Sequence, residues 1–128
     1  MSLDDRYLKA LQKKSKKSTG RFPAATVAFY GPNRDLATKV VVGIISQPDN
    51  EPAELKRWWS TAIDIRRNSK VMKEVLDFIR AREVAEVALL DVIFGCPHEE
   101  GTDYPEGESC PHCPYWAGRD RLTGISVQ

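Results

Sequence analysis

Residues 36–46 read LATKVVVGIIS, a run that is apolar and β-branched almost throughout. Such a run is typical of a strand that is covered on both faces of a sheet. Residues 22–30, FPAATVAFY, precede it and alternate with the two-residue period of a half-buried strand. Because residues 31–35, GPNRD, are dense in turn formers, we predict that the two segments form an antiparallel hairpin.

The segment after the hairpin predicts a short amphipathic helix over residues 52–61, with a proline at its first position. Its apolar side chains recur at helical spacing, and they are Leu55, Trp58, Trp59 and Ala62. This spacing places both tryptophans on the buried face. Residues 63–66 alternate in polarity and predict a short strand.

A second helix is predicted to begin after a capping residue, Asn68 or Ser69, and to run to about Arg82. Its apolar stripe consists of Val71, Met72, Val75, Leu76 and Ile79. Residues 86–94, EVALLDVIF, then predict a core strand. A strand, helix and strand in succession over 63–94 predict a right-handed parallel crossover. The expected fold is α/β, a mixed sheet in the order β-β-α-β-α-β followed by a C-terminal zinc-binding loop.

The composition limits the class of protein. At 128 residues, with 41% hydrophobic and 29% charged side chains, the chain suits one folded domain and excludes a large multidomain enzyme. Its net charge of +1 gives no overall bias toward nucleic acid or a membrane. Neither a membrane-spanning apolar run nor the apolar segment of a signal peptide occurs, so we expect a cytoplasmic protein without a membrane partner.

The N-terminal segment is basic and poor in large apolar side chains. Residues 9–21, KALQKKSKKSTGR, predict a flexible basic arm over 1–21, with a short helix over 4–12, ahead of a single domain over 22–128. An arm of this charge can bind the phosphates of a nucleic acid or an acidic protein partner. A tail that only maintains solubility is the alternative. The side chains expected to contact nucleic acid are Lys13, Lys14, Lys16, Lys17 and Arg21.

All three cysteines and both histidines of the chain lie between residues 96 and 113, within the tail 95–121. In a reducing compartment this clustering favours a metal over a disulfide. Cys110 and Cys113 have the CxxC spacing of a zinc knuckle. Cys96 and His98 supply a second pair, which completes a tetrahedral shell of three sulfurs and one nitrogen, the structural kind of zinc site. His112 is the competing fourth ligand, and His98 is preferred because a histidine inside a CxxC turn usually points away from the metal.

Two other kinds of chemistry use similar motifs. A redox CxxC needs a helix that begins at its first cysteine, and the prolines within and after this motif favour a turn. Zinc deaminases combine an HxE and a PCxxC motif on two helices, yet only 11 residues separate His98 from Cys110. An open zinc site with Glu99 or Glu100 as general base is chemically feasible. No catalytic residue is assigned.

The run from Cys96 to Arg121 has the pattern CPHEEGxDYPEGxxCPxCPxWxxRDR. It resembles a run near the C-terminus of a set of small uncharacterised bacterial proteins, over 26 of the 128 residues. The resemblance implies no activity, and it implies zinc ligands at Cys96, His98, Cys110 and Cys113. The sequence thus predicts a bacterial zinc-binding domain that binds nucleic acid or protein, with a small zinc-dependent hydrolase or deaminase-like enzyme as the alternative.

Overall fold

The computed structural model of the protein describes residues 6–15, 21–47, 51–60, 63–99, 102–107, 111 and 113–116. The helices and strands of the mixed sheet follow one another in the order α-β-β-β-α-β, which differs from the predicted order at the N-terminal helix, at residues 52–61 and at residues 63–66. The elements are α1 (Arg6–Ser15), β1 (Ala24–Tyr30), β2 (Lys39–Ile45), β3 (Glu54–Trp59), α2 (Ser69–Ala81) and β4 (Glu86–Ile93), with short 3-10 helices at Ile65–Arg67 and Pro114–Trp116. Among these helices, none is both long and apolar enough to cross a membrane.

Within the described residues the sheet has the strand order β3-β2-β1-β4. The predicted hairpin is confirmed, because β1 pairs antiparallel with β2 and places Val27 opposite Val42. Strand β3 pairs antiparallel with β2, and β4 pairs parallel with β1. Strands β3 and β4 therefore lie at opposite ends of this strand order, and helix α2 is part of the connection between them.

Helix α2 confirms the most regular pattern of the sequence. Its N-cap is Asn68, whose Oδ1 accepts a hydrogen bond from the amide of Val71 at 3.2 Å. The whole predicted stripe is buried, and it consists of Val71, Met72, Val75, Leu76 and Ile79. These side chains share one core cluster with the alternate residues of β1 and β2, Ala25, Val27, Phe29, Val40, Val42 and Ile44. The other face of those two strands is only partly covered.

The helix predicted over residues 52–61 is wrong, since Glu54–Trp59 form strand β3. Successive side chains of a strand point to opposite faces. Trp58 is therefore buried at 8% exposure and stacks edge-on against Phe78 of α2, whereas Trp59 is 61% exposed. Leu55 shares the face of Trp59 and is 51% exposed. The helical spacing of the apolar residues was a coincidence that pairing with β2 overrides.

The strand predicted over 63–66 is also wrong, because Ile65–Arg67 form a 3-10 helix. Asp64 caps it by accepting a hydrogen bond from the amide of Arg66 at 3.0 Å. Burial alone raises the pKa of Asp64, but hydrogen bonds from the Arg66 side chain and from the amides of Ala37 and Arg66 outweigh it and hold the pKa below its usual value. The parallel partner of β4 is consequently β1, and the predicted crossover over 63–94 does not form as such.

The short helix predicted over 4–12 corresponds to helix α1, which spans Arg6–Ser15, so residues 13–15 of the predicted flexible arm are helical as well. Leu11 of this helix is fully buried, with Tyr7, Leu8 and Ala10 packed partly against the same core. The helix lies against β4 and α2. One leucine and its apolar neighbours thus dock a segment whose composition is otherwise that of a solvated tail.

Candidate metal centre

Three of the four predicted ligands lie together just after β4. They are Cys96, His98 and Cys113, whose donor atoms are all within 4.8 Å of one another. Both cysteines are buried, at 6% and 3% exposure, and belong to the main hydrophobic cluster. The two sulfur atoms of the cluster therefore belong to buried residues of the core, as is common in structural metal centres.

The distances between the donor atoms can be compared with those around zinc. Tetrahedral zinc, with Zn–S near 2.3 Å and Zn–N near 2.0–2.1 Å, places neighbouring ligand atoms about 3.6–3.8 Å apart. The Nδ1 atom of His98 lies 3.2 Å from Cys96 Sγ and 3.5 Å from Cys113 Sγ. The two nitrogen–sulfur distances are therefore within a few tenths of an ångström of this spacing, and the three atoms form a cluster that could hold a metal ion. The backbone amide of His98 also donates to Cys96 Sγ at 3.3 Å, which orients the sulfur.

The remaining predicted ligand, Cys110, lies outside the described residues, as does the competing histidine, His112. The Nδ1 atom of His98 lies between the two sulfurs, and the choice between the two histidines stays a prediction. The assignment of the fourth ligand stays a prediction from the CxxC spacing.

Backbone hydrogen bonds join strand β1 and the turn after it to the start of the metal loop, the segment 94–99 that follows β4 and carries Cys96 and His98. The amide of Phe94 donates to the carbonyl of Phe29 at 2.7 Å, and the amide of Gly31 donates to the carbonyl of Gly95 at 2.8 Å. Gly31 has no space for a Cβ atom, which would collide with the carbonyl oxygen of Leu36. Glycine at position 31 lets the backbone of Leu36 pack closely against the turn after β1. The two hydrogen bonds hold the chain just before Cys96 against this turn.

Sequence reasoning missed a charged cluster beside the donors, formed by Lys39, Arg57 and Glu99. Lys39 Nζ donates to Glu99 Oε2 at 3.0 Å, and Arg57 Nη2 donates to Glu99 Oε1 at 3.1 Å. The hydrogen bond from Lys39 lowers the pKa of Glu99 below its usual value, with a further contribution from Arg57 against the opposing effect of burial. One signal in the sequence could have indicated the cluster. Lys39 is the single charged residue in the run 36–46, which was itself predicted to be covered on both faces.

A groove of about 790 Å³ lies beside the cluster. Its lining includes His98 and Cys113 together with Lys39, Arg57 and Trp59. The groove thus borders two of the three residues of the donor cluster. Glu99 also lines it, with both carboxylate oxygens engaged by the two cations.

The basic residues of the N-terminal prediction are partly brought together elsewhere. Lys13, Lys14 and Arg21 line a second groove, of about 590 Å³, between α1, α2 and the start of β4. Arg80 adds a fourth cation, and two acidic residues, Glu83 and Glu86, also line this groove. Lys16 and Lys17 lie outside the described residues.

Comparison of the chain with protein-family models, curated protein sequences and solved structures gave no match. The resemblance of the run from Cys96 to Arg121 to small bacterial proteins therefore stays a prediction. What the molecule itself provides is an α/β fold with a cluster of Cys and His side chains that could hold a metal ion.

Proposed function

We propose that the protein is a small zinc-binding domain in which one structural zinc ion ties the C-terminal loop to the sheet. The observation that carries the proposal is the grouping of Cys96, His98 and Cys113, with the histidine nitrogen in contact with both sulfurs. Sulfur and imidazole donors suit zinc better than the hard cations, which prefer oxygen ligands. Cys110 is the proposed fourth ligand, and a shell completed in this way has no position left for a reactive water.

Metal analysis of the purified protein tests this proposal. We expect about one zinc ion per chain, the stoichiometry of a Cys3His site. Cys113→Ser should lose the metal, and His98→Ala should lose it whereas His112→Ala should retain it. The two histidine substitutions form a matched pair, because each removes one imidazole from the tail 95–121. Protein prepared without chelators that holds no stoichiometric metal would refute the site.

A second candidate function, a zinc-dependent hydrolase or deaminase-like enzyme, is favoured by one observation, the groove that reaches His98 and Cys113. The geometry of Glu99 argues against it, because a carboxylate bound to Lys39 and Arg57 is a poor general base. The Co²⁺-substituted protein separates the two. An open metal position would bind azide and change the visible spectrum, whereas a closed Cys3His shell would leave the spectrum unchanged.

For the partner we propose the phosphates of a nucleic acid, with an acidic protein surface as the other outcome of the test. The support is the convergence of Lys13, Lys14, Arg21 and Arg80 on one groove. Two glutamates in the same groove reduce its net charge, so we expect weak, strongly salt-dependent binding without sequence preference.

Fluorescence anisotropy with short single- and double-stranded DNA and RNA, at about 50 mM salt, tests the nucleic-acid proposal. Substitution is preferable to deletion of residues 1–20 because α1 is packed on the core. The double variant Lys13→Ala/Lys14→Ala should weaken binding, while the matched control Lys70→Ala/Lys73→Ala on α2 should not. Equal, negligible binding by all three proteins would remove nucleic acid as the partner.

A further inference from the structure

Lys39 is the most deeply buried charged side chain among the described residues, with 3% exposure. Lysine is almost never buried to this degree unless its ammonium group is paired. Both hydrogen bonds of this ammonium group go to the metal loop, to the carbonyl of Pro97 at 2.9 Å and to Glu99 Oε2 at 3.0 Å. The strand residue Lys39 and the loop are 58 and 60 positions apart in the chain at these two contacts, so they join distant segments.

We infer that Lys39 is a positioning residue for the metal centre, an inference that rests on the proposed zinc site. Pro97 stands between the ligands Cys96 and His98, so the hydrogen bond to its carbonyl fixes the backbone that spaces the two donors. Glu99 directly follows His98, and the bond to its carboxylate restrains the loop on the other side. One ammonium group therefore anchors the Cys-Pro-His segment at its middle residue and just beyond its last residue.

The surroundings of the ammonium group hold it in place. It lies 5.8 Å from the centroids of the Tyr30 and Trp59 rings, which flank it on β1 and β3. Arg57 engages the second oxygen of Glu99 and so prevents that carboxylate from rotating away. A donor set held in this way loses less conformational entropy when it binds an ion, which is why partners of metal ligands affect affinity.

The test is Lys39→Met, which keeps an apolar stem between the two rings and removes the ammonium group. Co²⁺ is titrated into the metal-free protein, its thiolate and d–d absorption bands are recorded, and Zn²⁺ competition then gives the zinc affinity. We expect affinity to fall about 10- to 100-fold, the range found when groups that orient metal ligands are removed. Lys73→Met is the matched control, because it removes an exposed lysine paired with Asp77 on the surface of α2.

Glu99→Gln is a second variant, at a side chain that is 40% exposed and so tolerates substitution if Lys39→Met does not fold. It should weaken zinc binding in the same direction, by less than Lys39→Met, because the bond from Lys39 to Pro97 survives. Urea unfolding of the metal-free variants separates positioning from stability. If Lys39 only stabilised the fold, Lys39→Met would lower the free energy of unfolding of the metal-free protein and leave zinc affinity unchanged.

Metal binding by the natural protein tests the zinc site, and the affinities of the variants test the role of Lys39. If the natural protein binds neither Co²⁺ nor Zn²⁺, the metal site fails and the role of Lys39 fails with it. If the natural protein binds zinc and the folded Lys39 and Glu99 variants bind it within about threefold of the same affinity, well below the effect of an orienting group, the site stands and the inference is overturned.

Discussion

Helix α1 is joined to the protein through one fully buried side chain, and Leu11→Ala tests whether that docking is real. Leu11 has 0% exposure and is the one buried residue of the helix. Tyr7, Leu8 and Ala10 add partly buried contacts with the core. If the segment were instead a solvated basic arm, the size of the side chain at position 11 would have almost no effect on stability.

The expected loss follows from the burial of the leucine. Truncation of a fully buried leucine to alanine costs about 2–5 kcal/mol, depending on how far the site can collapse. Helix α1 is a short element at one end of the described chain, so it can leave the sheet without unfolding the rest. The loss cannot exceed the free energy of its docking, and we therefore expect the lower half of the range, about 2–3 kcal/mol.

Urea unfolding followed by tryptophan fluorescence and by circular dichroism measures this loss. Lys9→Ala is the control, because Lys9 is exposed on the same helix and the substitution introduces the same residue. It should change the free energy of unfolding by less than about 0.5 kcal/mol, as is usual for surface positions. A Leu11→Ala protein as stable as the control would show that α1 is not docked on the core, in agreement with the flexible basic arm that the sequence predicts.

Three further predictions concern strand β3, the Asp64 cap of the 3-10 helix and the metal site. Trp58→Ser should cost about 3–5 kcal/mol, as for other buried aromatic side chains, and Trp59→Ser less than about 1 kcal/mol; equal losses in urea unfolding would contradict the strand assignment of β3. Because the pKa of Asp64 is lowered in the fold, its stabilising effect is present above its unfolded value of about 3.9 and is lost as the pH falls through the folded value. The stability difference from Asp64→Asn, measured by urea unfolding, should therefore be constant above about pH 5 and shrink as the pH falls below about 4, and a difference that stays constant down to about pH 2 would contradict it. A zinc chelator should lower the melting temperature of the natural protein and leave that of Cys113→Ser unchanged, and equal shifts in the two proteins would argue against a zinc site at Cys113.

The features that could be predicted from sequence are those governed by local chemistry. Helix α2 has a capping asparagine and five apolar side chains at helical spacing, and it forms as predicted. The hairpin of β1 and β2 comes from one alternating and one β-branched segment on either side of a turn. The two segments are adjacent in sequence, so their pairing could be predicted locally. The CxH spacing already places Cys96 and His98 within reach of one ion.

The other features depend on contacts between distant segments, which local pattern does not contain. Residues 54–59 have helical apolar spacing over little more than one turn, too short to outweigh the hydrogen bonds and burial gained beside β2. Leu11 docks α1 only because β4 and α2 provide a surface for it. Cys113 reaches Cys96 and His98 through the folding of the intervening loop, and Lys39 is buried because that loop closes over it. Spacing along the chain thus determines which donor atoms are available, while the tertiary fold determines which of them meet, since burial and charge pairing are decided between segments.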